Sequence, residues 1–404
     1  MRRTLTSLIA VASIGAVVAP VANVASARTE ARADQPLRFA TFNASLNRPA
    51  AGQLRAQLEA AVAGTVDPQI QAVLDIIEIN DPDVLLINEF DTGTDGDPTT
   101  VALFARLAGY EYWFTAPSNT GVPSGLDLDN SGSVGGPNDA FGFGFFPGQF
   151  GMAVFSKYPI DTDGARTFQL FRWADMPGAK LPVDPATGQS WYSPAELAVF
   201  RLSSKSHWDV PVDVGGRFVH FLVSHPTPPV FDGAEDRNGT RNFDEIRFWA
   251  DYIRPGLRSK YIYDDEGQYG GLRSGRPFVI AGDQNSDPLD GDSIPGAIQQ
   301  LLDNGQVNSK VTPASEGAVE ASALQGGANL THRSDPAFDT ADFADNAPGN
   351  LRADYVLPSR TLRILDAGVF WPRQGKPGSE LTGTFPFPSS DHRLVWVDVR
   401  NPGR

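Results

Sequence analysis

The chain has 404 residues, with 33 Lys and Arg against 48 Asp and Glu, and its formal net charge is −15. Cysteine is absent, which excludes disulfides and leaves stability to the hydrophobic core and to any bound ions. No run of basic residues is present, which counts against tight binding of duplex nucleic acid.

The N-terminus has the pattern of a secretion signal. Arg2 and Arg3 precede an apolar stretch from Leu8 to Val24, and Ala25-Ser26-Ala27 is a small-residue cleavage site. We therefore expect a signal peptide at 1–27, with cleavage as late as residue 33 in the alternative. Loss of two positive charges, Arg2 and Arg3, takes the net charge from −15 to −17. The mature protein is expected to be secreted or periplasmic, monomeric and not stably inserted in a membrane.

Strands and helices alternate along the rest of the chain, and several strands follow one another directly. Runs with strand character are Leu37–Asn43, Val84–Phe90, Met152–Ser156, Leu197–Leu202, Phe218–Ser224, Phe278–Gly282, Tyr355–Leu357 and Leu394–Val399. Helical periodicity marks Pro68–Ile79, Thr99–Leu107, Asp244–Ile253 and Ile294–Leu302. The order predicts one α/β domain over residues 37–400, with two sheets packed together and flanked by helices.

Two long polar loops interrupt these elements. In the first, from Pro117 to Phe150, the oxygens of Asp127, Asp129 and Ser131 have the spacing of a calcium loop with Gly132 at the sixth position. The twelfth position is not Glu, so the alternatives are a structural Ca²⁺ site and a solvated acidic turn. The second, Ser309 to Asn350, contains a histidine and spaced carboxylates and is either a metal site or a polar rim beside the active site. Those residues are His332, Asp335, Asp339 and Asp342.

Polar side chains stand at the ends of five predicted strands. They are Asn43, Glu89, Asp283 with Asn285, Asp354, and Asp391 with His392. Asp283 and Asn285 are two residues apart and therefore face the same side of an extended segment. Rigid strand ends hold side chains in the fixed geometry that catalysis requires. The pattern predicts one polar pocket at the rim of the sheets.

In these motifs the chain resembles the endonuclease/exonuclease/phosphatase superfamily, which includes deoxyribonucleases, abasic-site endonucleases, neutral sphingomyelinases and inositol polyphosphate 5-phosphatases. The matching residues occur in family order: Asn43, Glu89, His225, Gly282-Asp283-Gln284-Asn285, Asp354 and Ser390-Asp391-His392. The resemblance covers roughly residues 37 to 400. It implies an α/β fold, a four-layer α/β/β/α sandwich of two mixed β-sheets flanked by helices. It also implies hydrolysis of phosphoric esters.

The resemblance assigns a role to each motif. Glu89, with Asn43 and Asp391, supplies hard oxygen ligands for Mg²⁺ or Mn²⁺. The metal cancels charge on the phosphate, which otherwise resists attack. Ala44-Ser45 lacks the acidic residue of abasic-site endonucleases, which puts ligation at this position in doubt.

The resemblance implies that the remaining site residues act on the proton and the phosphate, in the following roles. Asp283 orients and deprotonates the attacking water, while Asn285 donates a hydrogen bond to the phosphoryl oxygen. His392 contacts the scissile phosphate with its tautomer fixed by Asp354, and His225 assists the leaving group. His207 and His220 have no motif context and are interpreted as structural. Arg237 and Arg241 either clamp a second phosphate or pair with neighbouring acids.

The substrate stays open at this point. Nucleic-acid phosphodiester ranks first on family frequency, a small soluble phosphoester second and a phospholipid head group third. Phe141–Phe146 is a candidate membrane contact, with a loop anchor as its alternative. A different class, an extracellular binding protein that keeps the fold without catalysis, competes with all three.

Overall fold

The structure is a computed structural model that describes residues 36–93, 96–254 and 256–403. The predicted signal peptide at 1–27, with its alternative cleavage as late as residue 33, lies outside these residues. The strands are β1 Leu37–Leu46, β2 Val84–Phe90, β3 Tyr112–Phe114, β4 Gly151–Ser156, β5 Arg166–Thr167, β6 His207–Asp213, β7 Phe218–Ser224, β8 Phe278–Asp283, β9 Asp354–Pro358, β10 Ile364–Val369 and β11 Val395–Val399. The α-helices are α1 Gln53–Val62, α2 Pro68–Asn80, α3 Pro98–Ala108, α4 Pro194–Leu197, α5 Arg237–Tyr252, α6 Gln299–Leu302, α7 Glu316–Gln325 and α8 Ser379–Thr382.

In the described part of the chain, the strands form two mixed sheets. The first has the order β10-β11-β1-β2-β4-β3, and the second β5-β6-β7-β8-β9. Within each sheet one pair is parallel, β1 with β2 and β7 with β8, and the other pairs are antiparallel. Both parallel pairs are central, so four neighbouring strands run in matched directions toward one edge.

Three apolar clusters separate four layers. Alternate residues of both sheets, such as Phe39 and Phe221 with ring centroids 5.5 Å apart, form the core between the sheets. The opposite face of the first sheet packs against α1, α2 and α3. The opposite face of the second sheet packs against α5 and α6. This arrangement confirms the predicted α/β/β/α sandwich of two mixed sheets flanked by helices.

Local sequence explains where the first-layer helices begin. The Asp67 carboxylate accepts hydrogen bonds from the backbone N–H of Gln69 and Ile70, and Asp97 accepts one from Thr99. In both helices proline follows at the first position, where its missing N–H costs nothing. No helix among the described residues is long and apolar enough to cross a membrane.

Some predicted elements were wrong. Leu197–Leu202 is not a strand, because a capping box of Ser193 and Glu196 starts α4 just before it, and the helix ends at Leu197 in a turn at 198–199. The helix predicted from Asp244 begins already at Arg237, and most of Ile294–Leu302 is irregular, leaving only the short α6. Strand β6 was missed since Asp209 and Pro211 break its apolar pattern.

Candidate active site

The predicted site residues lie on strand ends that meet at one edge of the two sheets. β1 and β2 each end in a register irregularity, between Asn43 and Leu46 and between Asn88 and Phe90. Within these bulges Ser45 has φ 48° and Glu89 has φ 55°, both left-handed. A β-bulge bends a strand and redirects its side chains. Left-handed backbone at a non-glycine residue costs free energy and is concentrated at functional sites.

Gly282, immediately before Asp283, allows the second sheet to come close at this point. Its φ is 145°, and a Cβ placed here would lie 1.9 Å from the carbonyl oxygen of Ser224. Any side chain would push β8 away from β7 and from His225, which follows Ser224. The glycine of the Gly-Asp-x-Asn motif therefore sets the distance between Asp283 and His225.

Asp283 lies between two imidazoles at the centre of the site. Its Oδ2 is 3.4 Å from Nε2 of His225 and 3.6 Å from Nε2 of His392. Although burial alone would raise the pKa of Asp283, His392 and then His225 lower it below its usual range. Asp283 is therefore an ionised, nearly fully buried carboxylate at neutral pH.

His392 is held by a second carboxylate on its other nitrogen. Its Nδ1 donates to Asp354 Oδ2 at 2.8 Å, and Thr340 Oγ1 donates to the same oxygen at 2.8 Å. Burial disfavours the imidazolium, but Asp354 and Asp283 together raise the pKa of His392 well above its ordinary value. The Asp354 contact directs Nε2 of His392 toward the space beside Asp283. The ring edge of Phe343 packs against His392 at 5.3 Å between centroids.

His225 differs electrostatically from His392. Burial and the nearby charge of Lys205 lower the pKa of His225 to about 4, against the opposing effect of Asp283. Its Nδ1 is buried without a hydrogen-bond partner among the described residues. A neutral imidazole and an imidazolium thus flank one carboxylate, and such divergent pKa values are typical of paired acid and base roles.

Glu89 and Asn43 join the two sheets at the site. Asn43 Nδ2 donates to Glu89 Oε1 at 3.2 Å and to Asp283 Oδ2 at 3.1 Å, while its Oδ1 accepts from Ser45 N at 3.3 Å. Burial raises the pKa of Glu89, opposed by His392 and Asn43. Rotation of the Asn43 amide exchanges its nitrogen and oxygen, so a cation beside Glu89 would select the orientation with the oxygen toward it.

Asp391, the third predicted metal ligand, lies beside Glu89 and raises its pKa through like charge. Its Oδ1 is 3.5 Å from Ser45 Oγ and 3.4 Å from Ser390 Oγ, both long contacts. Two carboxylates that repel each other and that no cationic side chain of the described residues bonds are a suitable donor set for a hard divalent cation. Glu89, Asp391 and Asn43 therefore fit a divalent metal ion.

A second group of ligand atoms lies deeper in the site. Those of Asp283, Asp354 and His392 all fall within 4.8 Å of one another, and this buried group could hold a metal ion. The direct hydrogen bond between Asp354 and His392 already accounts for part of this proximity. It leaves Asp354 Oδ1 as a buried acceptor without a partner among the described residues.

Asn285 lies beside Asp283 in a strained conformation. Its φ is 49°, its N–H donates to Asp283 Oδ1 at 2.9 Å, and its Nδ2 donates to Pro226 O at 3.1 Å. One amide hydrogen therefore fixes the side chain, and the second has no acceptor among the described residues. Asn88, which no motif indicated, accepts from the backbone N–H of Asp283 at 3.1 Å and ties β2 to β8.

Lys205 also belongs to this site, although no sequence motif marks it. It is 7% exposed, and burial lowers its pKa against the effects of Glu245 and Glu89. It lies in the polar segment 203–206 just before β6, a pattern that resembles an ordinary loop. A single lysine in such a segment carries no periodicity from which its burial could have been inferred.

The other histidines and the two arginines lie in structural contacts. His207 bonds Ser203 Oγ and the Glu245 carbonyl, and burial lowers its pKa to about 3. His220 bonds Asp209 Oδ1 at 2.7 Å beside a separate cavity of about 490 Å³. Arg241 is buried and donates to backbone carbonyl oxygens, while Arg237 pairs with a neighbouring glutamate, Glu235.

The predicted calcium loop brings three carboxylates together. Ligand oxygens of Asp127, Asp129 and Asp139 lie within 4.8 Å of one another, so Asp139 joins the set, while Ser131 N–H donates to Asp127 and Asp129. Both oxygens of Asp139 accept backbone hydrogen bonds. Calcium binding here stays a prediction.

In the second long loop the predicted group does not assemble among the described residues. His332 bonds the carbonyl of Pro348, and Asp342 pairs with Arg393 at 3.1 Å. Asp335 caps a short 3₁₀ helix by accepting from Ala337 N–H. The loop instead contributes Thr340 to the site, which agrees with its interpretation as a polar rim.

The geometry agrees with comparisons to known proteins. The sequence model of the Endonuclease/Exonuclease/phosphatase family matches residues 40–392, and the chain belongs to this family. Family members are phosphoester hydrolases that use divalent metals. Comparison with curated proteins gives no match.

Solved structures with a similar fold include three from different organisms. An endonuclease/exonuclease/phosphatase from Beutenbergia cavernae is 18% identical, covers 91% of this chain and 72% of its own, and has a TM-score of 0.48. The human Nocturnin catalytic domain is 15% identical over 90% of this chain and 94% of its own, with a TM-score of 0.42. Sphingomyelinase C from Streptomyces griseocarneus is 17% identical over 90% of this chain and 99% of its own, with a TM-score of 0.41.

Proposed function

We propose that this protein is a divalent-metal-dependent phosphoesterase that hydrolyses phosphodiester bonds, with nucleic acid as the first-ranked substrate. The observation that carries the proposal is the position of ionised Asp283 between two imidazoles with opposite pKa shifts, beside the Glu89 and Asp391 carboxylates. A non-catalytic binding scaffold would not require strained backbone or buried, mutually perturbed titratable groups at one edge of its sheets.

In this function each side chain acts on a different atom of the reaction. A bound Mg²⁺ or Mn²⁺ would be held by Glu89, Asp391 and Asn43 and would neutralise phosphate charge. Asp283 accepts a hydrogen bond from the attacking water and orients it toward phosphorus. The His392 imidazolium donates from Nε2 to a phosphoryl oxygen, because Asp354 holds its Nδ1.

His225 is the group to which we assign proton donation to the leaving-group oxygen. Its neutral form predominates in the free protein, since its pKa is about 4. A bound phosphate adds negative charge, which raises the pKa of a nearby imidazole and favours proton donation. The remaining amide hydrogen of Asn285 can donate to a second phosphoryl oxygen.

The test uses purified mature protein, bis(p-nitrophenyl) phosphate, and Mg²⁺ with and without EDTA. We expect turnover that is lost on chelation and lost in Asp283→Asn, and that is unchanged in Asp366→Asn, an exposed carboxylate on β10. Activity that survives thorough chelation would contradict the metal role. An inactive protein that binds nucleic acid tightly would favour the scaffold function.

Substrate class is tested in parallel with plasmid DNA, RNA, sphingomyelin and a phosphomonoester panel at equal Mg²⁺. Nicking of plasmid DNA or cleavage of RNA is the expected result. Rapid turnover of a small phosphomonoester without cleavage of nucleic acid would put the second-ranked substrate first. Hydrolysis of sphingomyelin alone would favour the phospholipid alternative.

We also propose that the protein is exported and acts as a monomer. The charged start, apolar stretch and small-residue site in residues 1–27 support export. N-terminal sequencing of protein from the culture medium or periplasm should give a start between residues 28 and 34. Protein that stays inside the cell and still begins at Met1 would contradict export. The whole chain has a mass of 43.4 kDa, and elution above this mass in size-exclusion chromatography would contradict the monomer.

A further inference from the structure

We propose that Lys205 is a phosphate-binding residue of this site, donating from its ammonium group to a non-bridging oxygen of the substrate. The proposal rests on the phosphoesterase function proposed above and adds a residue to it. It is carried by three features of the free protein: a fixed backbone, an unpartnered ammonium and a surrounding of negative charge.

The backbone around Lys205 is fixed against the catalytic groups. The Lys205 carbonyl accepts from Asn119 N–H at 2.8 Å. The preceding residue, Ser204, donates from its hydroxyl to the His225 carbonyl at 3.3 Å and from its N–H to Glu245 Oε1 at 2.7 Å. Lys205 is therefore held beside the strand end that carries His225.

Its ammonium group has no partner among the described residues. Lys205 is 7% exposed, yet its Nζ forms no hydrogen bond with them and lies more than 4.0 Å from their carboxylate oxygens. Glu245, the nearby carboxylate with the largest effect on Lys205, is occupied by hydrogen bonds from Ser204 and Thr227. Most of the side chain is buried while Nζ keeps contact with solvent, so a phosphate oxygen can reach it, and partial loss of water by a charged group without a hydrogen-bond partner costs free energy.

The charges nearby are those that a phosphate must approach. Lys205 interacts electrostatically with Glu89, Asp283 and His225, which are groups that we assign to the metal, the attacking water and the leaving group. An anionic substrate meets several carboxylates here, and a cation not bonded to any of them is free to bind a phosphoryl oxygen. A lysine whose only role was to neutralise Glu89 or Asp283 would form a direct ion pair with it.

The decisive variant is Lys205→Met, which keeps an unbranched side chain one atom shorter and removes the charge. We expect kcat/KM to fall by about a hundredfold or more, as for loss of one preorganised donor to a developing charge. Calorimetry should show inorganic phosphate binding weakened by about tenfold or more. Thermal unfolding should occur at the same or a higher temperature, since methionine is buried without desolvating an ammonium. Lys205→Arg should retain part of the activity, and Lys310→Met, on an exposed lysine, should behave as wild type.

Lys205→Met is expected to lower activity without lowering the unfolding temperature, and this combination separates a phosphate-binding role from a structural one. A lower unfolding temperature in Lys205→Met, with unchanged phosphate affinity of the folded protein, would overturn the proposal. So would wild-type kcat/KM in that variant, or failure of the wild-type protein to bind phosphate at all. Absence of wild-type turnover on every phosphoester would instead overturn the phosphoesterase function, and phosphate calorimetry would still decide the role of Lys205.

Discussion

Replacing Asp354 with asparagine tests the electrostatic core of the proposed site. In the wild-type protein the Asp354 carboxylate accepts from His392 Nδ1 at 2.8 Å and from Thr340 Oγ1 at 2.8 Å. Asp354→Asn keeps the size of the side chain and removes its negative charge. His392 would then lose the nearest group that raises its pKa.

The size of the effect follows from the contact. A carboxylate and an imidazolium 2.8 Å apart attract each other by about 6 kcal/mol at an effective dielectric constant of about 20. The uncharged amide still forms one hydrogen bond and solvent adjusts, so only part of this energy is lost. We expect the pKa of His392 to fall by about 1 to 3. Turnover should fall by about a hundredfold or more, because a lower pKa reduces the population of the protonated His392 donor and its Nδ1 loses the ionic partner that orients the ring.

The assay is the pH dependence of kcat/KM on bis(p-nitrophenyl) phosphate at saturating Mg²⁺. His392 acts in its protonated form, so a lower pKa must move the alkaline limb of the profile to lower pH. Asp209→Asn is the matched control, because it removes a carboxylate 2.7 Å from the Nδ1 of another histidine, His220, away from the site. An alkaline limb that stays in place in Asp354→Asn, or moves equally in Asp209→Asn, would refute the proposed role of the pair.

Four further outcomes are expected. Glu89→Gln should raise the Mg²⁺ concentration for half-maximal activity by about ten- to a hundredfold, and an unchanged titration would exclude Glu89 as a ligand. Asp283→Ala should lower kcat by about a hundredfold or more while circular dichroism shows the native fold. The pKa of buried His207 is about 3, below its usual 6.5. Below pH 6.5 the unfolded state therefore binds a proton that the folded state does not bind. The contribution of neutral His207 to stability is complete above pH 6.5 and is lost as the pH falls. His207→Gln should reduce the slope of the free energy of unfolding against pH by up to about 1.4 kcal/mol per pH unit, measured by denaturant unfolding. Burial and the charge of Asp287 raise the pKa of Asp339 to about 8, so the folded state keeps a proton that the unfolded state loses above about pH 4. Asp339→Asn should therefore raise the unfolding temperature at pH 8 more than at pH 4, and equal effects at both would show that Asp339 titrates normally.

The architecture could be predicted because its signals are local and repeated. β2 and β7 have the predicted bounds, since each contains a run of apolar residues and is mostly buried. The polar residues at strand ends converge because parallel central strands end at the same edge of their sheets. The strand predicted at Leu197–Leu202 was wrong since apolar content was weighed there without the capping residues.

The missing parts of the site are those that depend on contacts between distant segments. Thr340 reaches Asp354 from a long loop, and Asn88 reaches the backbone of Asp283 from the other sheet. The acidic partner of His225, Asp283, lies 58 positions further along the chain and was not assignable from the sequence. Motifs specify which residue types are present, while packing of the two sheets decides their partners.

Several residues of the site lower the stability of the folded protein when no ligand is bound. Glu89 and Asn285 have left-handed backbone, and His225 Nδ1 is buried without a hydrogen-bond partner among the described residues. Lys205 is a mostly buried lysine whose ammonium has no hydrogen bond with those residues. Each of these features lowers the stability of the folded state.

A divalent cation near Glu89 and a phosphate near Lys205 and His392 would satisfy the unpaired groups together. Cation and phosphate should therefore bind cooperatively, because each supplies the charge that the other requires. Calorimetric titration of phosphate with and without Mg²⁺ measures this coupling. Equal phosphate affinity in both titrations would show that the two sites are independent.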